Sequence, residues 1–182
     1  MQSTELEIGE LLSLHNLKLS VAESCSAGGL SSKICSVSGS SNYFLGGIVA
    51  YSNQSKIRDL GVSEIDINKF TEVSEIVVSQ MSLGVAEKFN SDFSVSTTGY
   101  AGPTGKDVGK VFISINTPKN NSVKKFHFHG DREEITTQII DKKLVEIVRK
   151  KGAGYIAKPH ELTGKGIYNG ILEAIIQGVV KI

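Results

Sequence analysis

Apolar positions along the chain switch between helical and strand spacing several times. From Glu5 to Leu14, residues Leu6, Ile8, Leu11, Leu12 and Leu14 fit an amphipathic helix. Leu17 to Ala22 is a short apolar run of strand length, and Ser24 and Ser26 behind it suit the cap of a helix reaching about Cys35. The turn signal Gly39-Ser40-Ser41-Asn42 precedes a buried strand over Gly46 to Tyr51. Ser52 to Leu60 reads as a connecting segment, and Gly61-Val62-Ser63 opens another loop. Val73 to Phe89 predicts a helix with Ser74 as its cap, and Phe93 to Thr98 a strand ending in glycines. Lys110 to Asn116 and Val123 to His129 form a hairpin about the Pro118 to Ser122 turn, and Asp131 opens a helix running through Arg149.

Strands that alternate with helices imply an α/β fold with helices packed on a mixed sheet, the hairpin supplying its antiparallel part. Lys150-Lys151-Gly152-Ala153-Gly154 breaks the composition. We therefore expect one domain over residues 1–150 and an extension over 151–182 with an apolar helix at Ile167 to Val180. Ile171, Leu172, Ile175, Ile176, Val179 and Val180 recur there as a helical stripe, an association surface if left in water. Packing on its own subunit is the plainer use of that stripe, but the core looks complete by Lys150, which tips the expectation to a homo-oligomer.

Composition narrows the function classes. The 182 residues suit one sizeable core, with 40% hydrophobic and 21% charged residues. A formal net charge of +1 gives no strong field for nucleic acid or an acidic membrane surface, and no segment approaches the roughly 18 apolar residues of a membrane span. The start MQSTELEIGELL has early glutamates and no basic residue, unlike a secretory signal. The expected setting is the cytoplasm, with Cys25 and Cys35 as reduced thiols.

Three segments carry candidate chemistry. In Val21-Ala-Glu-Ser-Cys-Ser-Ala-Gly-Gly29 a strand delivers a hydroxyl-rich turn into a helix, where free amides suit an anion. The plainer reading is that Ser24 and Ser26 cap the helix and Gly28-Gly29 allows close packing. The second segment, Gly39 to Lys56, sets Ser40, Ser41, Tyr51 and Lys56 around one apolar strand. A serine needs a base to become nucleophilic, and a lysine serves if burial or charge lowers its pKa. Because Ser41 and Lys56 flank a strand, the chain must fold back to join them, and the spacing does not require it. In the third segment, Gly99, Gly102 and Gly105 follow a strand and suit either a phosphate-cradling loop or a flexible turn. It is not a Walker A loop, since Lys106 is followed by Asp107. His127 and His129 alternate on one strand face without an evident third metal ligand. Cys25 is a thiol at a helix start with no histidine placed to activate it.

Taken in order, AESCSAGG, GSSNYFLGGIVAYSNQSK, the VSE at Val73–Glu75, TGYAGPTG, VGKVFISI and FHFHGDRE resemble the CinA C-terminal family across about residues 5–150. The resemblance implies a three-layer α/β/α sandwich that deamidates nicotinamide mononucleotide to nicotinic acid mononucleotide and ammonia, without metal or cofactor. Some members carry a separate N-terminal domain ahead of this one. The implied catalytic set is Ser41 as nucleophile, Lys56 as its base, Tyr51 as an assisting hydroxyl and Ser24 in the same pocket. The implied substrate-binding set is Gly28, Gly29, Ser40, Gly99, Ala101, Gly102, Thr104 and Gly105, with the Gly99–Gly105 loop as phosphate cradle. Assignment within Ser40-Ser41 is open by one residue.

Two departures bear on substrate choice. Tyr100 stands where the family has a small or branched residue, which narrows the expected pocket, and the loop after Pro103 is short. The rival readings are a catalytically silent mononucleotide-binding module and a hydrolase of another amide or of a phosphorylated sugar. Lys56 favours catalysis, because a binding site has less need of a lysine beside a serine.

Overall fold

A computed structural model describes residues 4–141. The extension over 151–182, its apolar stripe and the end of the last predicted helix lie outside the described residues.

The elements run α1 (Thr4–Leu14), β1 (Leu19–Glu23), α2 (Gly29–Cys35), a 3₁₀ turn at Ser40–Asn42, β2 (Phe44–Val49), α3 (Asn53–Leu60), α4 (Glu64–Phe70), α5 (Glu75–Phe89), β3 (Phe93–Gly99), β4 (Lys110–Asn116), β5 (Asn121–His127) and α6 (Arg132–Asp141). The sheet order is β2-β1-β3-β4-β5. β1 lies parallel to both β2 and β3, and β4 runs antiparallel to both β3 and β5. The mixed α/β fold expected from the pattern is the one observed.

Alternation along the central strands builds two cores. On one face Leu19 and Val21 of β1 and Val95 of β3 pack with Ile8 and Leu12 of α1, Leu30 of α2, and Ile135 and Ile139 of α6. On the other, Ala22 and Ala50 meet Leu60, Ile67, Val77, Met81 and Val85 from α3, α4 and α5. Helices thus cover both faces of the sheet.

The residues that alternate with this set on β1 and β3 are Ser20, Ala22, Ser94, Ser96 and Thr98, small side chains of which all but Ala22 are hydroxyls. Ser20 donates to the carbonyl of Val85, Ser94 to that of Ser82 at 2.6 Å, Ser96 to that of Val78 at 2.6 Å and Thr98 to that of Glu72 at 2.8 Å. Small, self-satisfied side chains let α5 and the loop before it lie close on the sheet without stranding a polar atom. Gly84 does the same on α5's other side, where a Cβ would run into the carbonyl of Leu60.

Two helices stand where a connector and a loop are expected. α3 begins at Ser52, whose Oγ accepts from the amide of Ser55, while Ser55 Oγ accepts from the amide of Ser52. This reciprocal cap uses serine in place of the usual glutamate or glutamine, which hides it in the sequence. α4 is capped by Ser63 and spans only 7 residues, too short to show a period. Elsewhere β2 and β5 each start two residues before the predicted position, a displacement ordinary for element ends.

Candidate functional site

β1 and β2 run side by side, so their carboxyl ends, Glu23 and Val49, come out together. The amide of Ala50 bonds the carbonyl of Glu23 at 2.8 Å and locks the two exits in register. Ser24 follows the first strand and Tyr51 the second. The Ser52 cap then turns the chain into α3, whose first turn carries Lys56. A helical side chain leans toward its helix's N-terminus, and Lys56 does so beneath the two strand ends.

There its Nζ lies 3.0 Å from Ser24 Oγ and 3.1 Å from the carbonyl oxygen of Ala50. Lys56 is 2% exposed and Ser24 is 7% exposed. Burial pulls the Lys56 pKa below its ordinary value, with Glu72 and Cys25 opposing the shift. The α3 N-terminus, positive by its dipole, adds to the pressure against a second positive charge. A lysine held toward its neutral form and in contact with a serine hydroxyl has the chemistry of a base beside a nucleophile.

A cavity of about 140 Å³ opens onto this pair. Ser24, Cys25, Lys56, Glu72 and Tyr100 line it, with the exposed Tyr51 and Arg132 at its mouth. Tyr51 is 58% exposed, and its hydroxyl accepts from Arg132, which also donates to the carbonyl of Gly102. Tyr100 donates to Glu72 Oε1 at 3.2 Å. Burial first, then the Glu72 charge, raises the Tyr100 pKa. Cys25 is buried, and burial pushes its thiol up to about 12. It therefore stays protonated at neutral pH and makes a poor nucleophile beside Ser24.

The structure does not bring Ser41 to Lys56. Ser41 lies exposed in the 3₁₀ turn before β2, where Lys18 Nζ holds the carbonyl of Asn42 at 2.7 Å and the amide of Leu19 holds that of Tyr43 at 2.8 Å. That is the amino end of the parallel strands. Lys56 lies beyond the carboxyl end, past the 6 residues of β2, or about 20 Å of extended chain. Ser40 sits in the same remote turn. The expected Ser41–Lys56 pairing is corrected to Ser24–Lys56, because β2 carries the chain away from Ser41 and no segment returns it.

The expected binding residues also divide. Gly99 and Ala101 line the cavity, whereas Thr104 and Gly105 are exposed on the loop beyond it. The amide of Gly28 is already taken by the buried Glu23 carboxylate, which also accepts from the amides of Leu30 and Ser31 and from Ser31 Oγ. The amide of Gly29 bonds the carbonyl of Ser26. The start of α2 is therefore closed by the protein's own carboxylate and offers no anion site through Gly28 or Gly29. Gly29 instead allows close packing, since a Cβ there would strike Ile140 of α6. Ser26 bonds Thr97 Oγ1 at 2.7 Å and helps fasten the turn to β3. Glu72 lies in no motif, and Arg132 lies within FHFHGDRE but has no role that the sequence assigns it. They reach the site only through the loop before α5 and the start of α6. Among the described residues, no group of three or more His, Cys, Asp or Glu side chains is placed to hold a metal ion.

A mixed sheet whose parallel strands end in a buried serine–lysine pair, covered by helices on both faces, defines an α/β protein. The chain belongs to the CinA family: the family model for the CinA C-terminal domain matches residues 1–150. It is 42% identical over 153 residues to a CinA-like protein of Flavobacterium psychrophilum, covering 82% of this chain and 37% of the relative. It is 40% identical over 158 residues to a putative competence-damage inducible protein of Caldicellulosiruptor saccharolyticus, covering 85% and 38%. The chain thus spans well under half the length of these relatives. Among solved structures it resembles the competence damage-inducible protein A of Klebsiella pneumoniae, with TM-score 0.72 and 27% identity over 74% of this chain and 86% of that one. A CinA superfamily protein of Escherichia coli aligns with TM-score 0.69 and 30% identity, covering 74% and 82%.

Proposed function

We propose that this chain is an amidohydrolase that deamidates nicotinamide mononucleotide, with Ser24 as nucleophile and Lys56 as general base. The observation that carries the reading is the 3.0 Å contact between Ser24 Oγ and a lysine amine with almost no solvent access. Family membership supports the choice of substrate. Size supports it as well, because the cavity of about 140 Å³ is close to the roughly 150 Å³ that accepts a benzene ring. A pyridine ring fits, and the ribose phosphate extends past the mouth toward Arg132, whose guanidinium suits a phosphate.

In this mechanism neutral Lys56 takes the Ser24 hydroxyl proton as Oγ bonds the carboxamide carbon. The oxyanion faces the backbone of the Gly99–Ala101 segment. The C–N bond breaks as Lys56 returns the proton to the nitrogen, and ammonia leaves. Water then attacks the acyl ester, Lys56 accepts its proton, and Ser24 leaves with that proton as a hydroxyl. Tyr51 and Arg132 hold the mouth and orient the substrate.

The test is ammonia release from nicotinamide mononucleotide, nicotinamide riboside and free nicotinamide by the purified chain. Release is expected, and fastest from the mononucleotide. Folded protein that liberates no ammonia from any of the three would overturn the proposal.

A further inference from the structure

Glu72 is the acidic wall of the cavity, and the serine–lysine chemistry leaves it without a task. It follows Thr71, a β-branched residue held at φ +71°, a conformation such residues rarely adopt. The backbone reversal there turns residue 72 from the end of α4 toward the cavity, and Thr98 Oγ1 fastens its carbonyl at 2.8 Å. One carboxylate oxygen, Oε1, takes the Tyr100 hydroxyl. Among the described residues nothing donates to the other oxygen, Oε2. Lys56 faces the same space, but its burial works against the positive form that would balance Glu72. Arg132, the other cation of the lining, is engaged with Tyr51 and Gly102 at the mouth. A half-buried carboxylate with an open oxygen, beside an aromatic ring, complements a flat cation that carries an N–H donor.

From this we infer that Glu72 and Tyr100 form a specificity wall selecting a cationic aromatic amide, the oxidised pyridinium state, over a neutral ring of the same shape. Glu72 Oε2 accepts from the amide nitrogen or lies against the ring charge, and the Tyr100 ring covers one face. The carboxylate left after deamidation is repelled by the same wall, which helps product leave. The inference rests on the amidase reading for the identity of the ring, while its test needs no turnover.

Calorimetric titration of the whole chain with 1-methylnicotinamide, a fixed cation, and with its neutral 1,4-dihydro form reads the selectivity directly. The wild-type chain should bind the cation at least about tenfold tighter, the scale of one partly solvated charge contact. Glu72→Gln should bring the two affinities to within about twofold, losing the factor that the charge supplied. Equal wild-type affinities, or no measurable binding of the cation, overturn the inference without reference to any variant, and so does a preference that survives Glu72→Gln. Selective binding without ammonia release would sink the amidase reading alone. Ammonia release without selectivity would sink this inference alone.

Discussion

At the scale of single residues, the site turns on a lysine that burial has made useful. Lys56 touches Ser24 and a carbonyl oxygen, while Ser41 touches neither. Ser24→Ala should therefore lower kcat by at least about a hundred- to ten-thousand-fold, the usual worth of base assistance alone. Ser41→Ala should leave kcat within about twofold and serves as the matched control. Near-normal turnover by folded Ser24→Ala would move the nucleophile elsewhere. The lowered Lys56 pKa has a second consequence. From the ordinary lysine value of 10.5 downward, the unfolded chain takes up a proton that the folded site resists. Stability attributable to this residue is therefore present above that pH and lost as pH falls through the folded pKa. Lys56→Met should raise Tm at pH 7, with a gain that shrinks toward pH 10.5, while turnover disappears. Activity of the wild-type chain should rise with pH along a limb centred below 10.5, because only neutral Lys56 accepts the serine proton. A Tm for Lys56→Met below wild type at pH 7 would show that its two hydrogen bonds outweigh the cost of burying the amine.

At the scale of elements, the turn from β1 into α2 is held by one carboxylate. Glu23 is fully buried and accepts from three amides and a hydroxyl at 2.5 to 3.0 Å. This satisfies the orphan amides of a helix start from inside the fold and sets the backbone on which Ser24 stands. Glu23→Gln keeps the shape but turns an NH₂ toward donors. It should destabilise the protein by about 1–3 kcal/mol in denaturant melts and lower kcat more than it raises KM. An unchanged melting curve would mean that the α2 start tolerates loss of its carboxylate. The Ser52 cap of α3 matters for a similar reason, since it sets the angle at which Lys56 enters the core. Ser52→Ala should cost about 1 kcal/mol by the same measurement.

At the scale of the whole molecule, the site joins segments far apart in the chain. Arg132 at the start of α6 ties Tyr51, which follows β2, to Gly102, which follows β3. The mouth thus depends on three connections meeting at one end of the sheet, as ligand sites in open α/β sheets do. If Arg132 receives a phosphate there, Arg132→Ala should raise KM for the mononucleotide about tenfold with little change in kcat, and leave the riboside unaffected. An equal loss for both substrates would instead assign Arg132 to holding the mouth in shape.

Local pattern alone determined the sheet strands, bounded by their turn signals, and the helices α1, α5 and the start of α6, while the hydroxyl-rich turn after β1 pointed to α2. It also showed that Ser24 opens a turn after a strand, while the place of Lys56 as a base came only from the family resemblance. It did not reveal α3 and α4, whose 8 and 7 residues carry no apolar run long enough to show a helical period. Nor did it show which serine lies beside the lysine. Ser41 is the nearer in sequence, but a strand travels in one direction, so residues flanking it end at opposite edges of the sheet. Ser24, 32 residues away, is brought to Lys56 because β1 and β2 run parallel and release their chains at the same edge. The closure of the α2 start by Glu23, the carboxylate wall of Glu72 and the reach of Arg132 arise only from packing. Each depends on which residues the sheet register and the helix layers set side by side, and no local period encodes that.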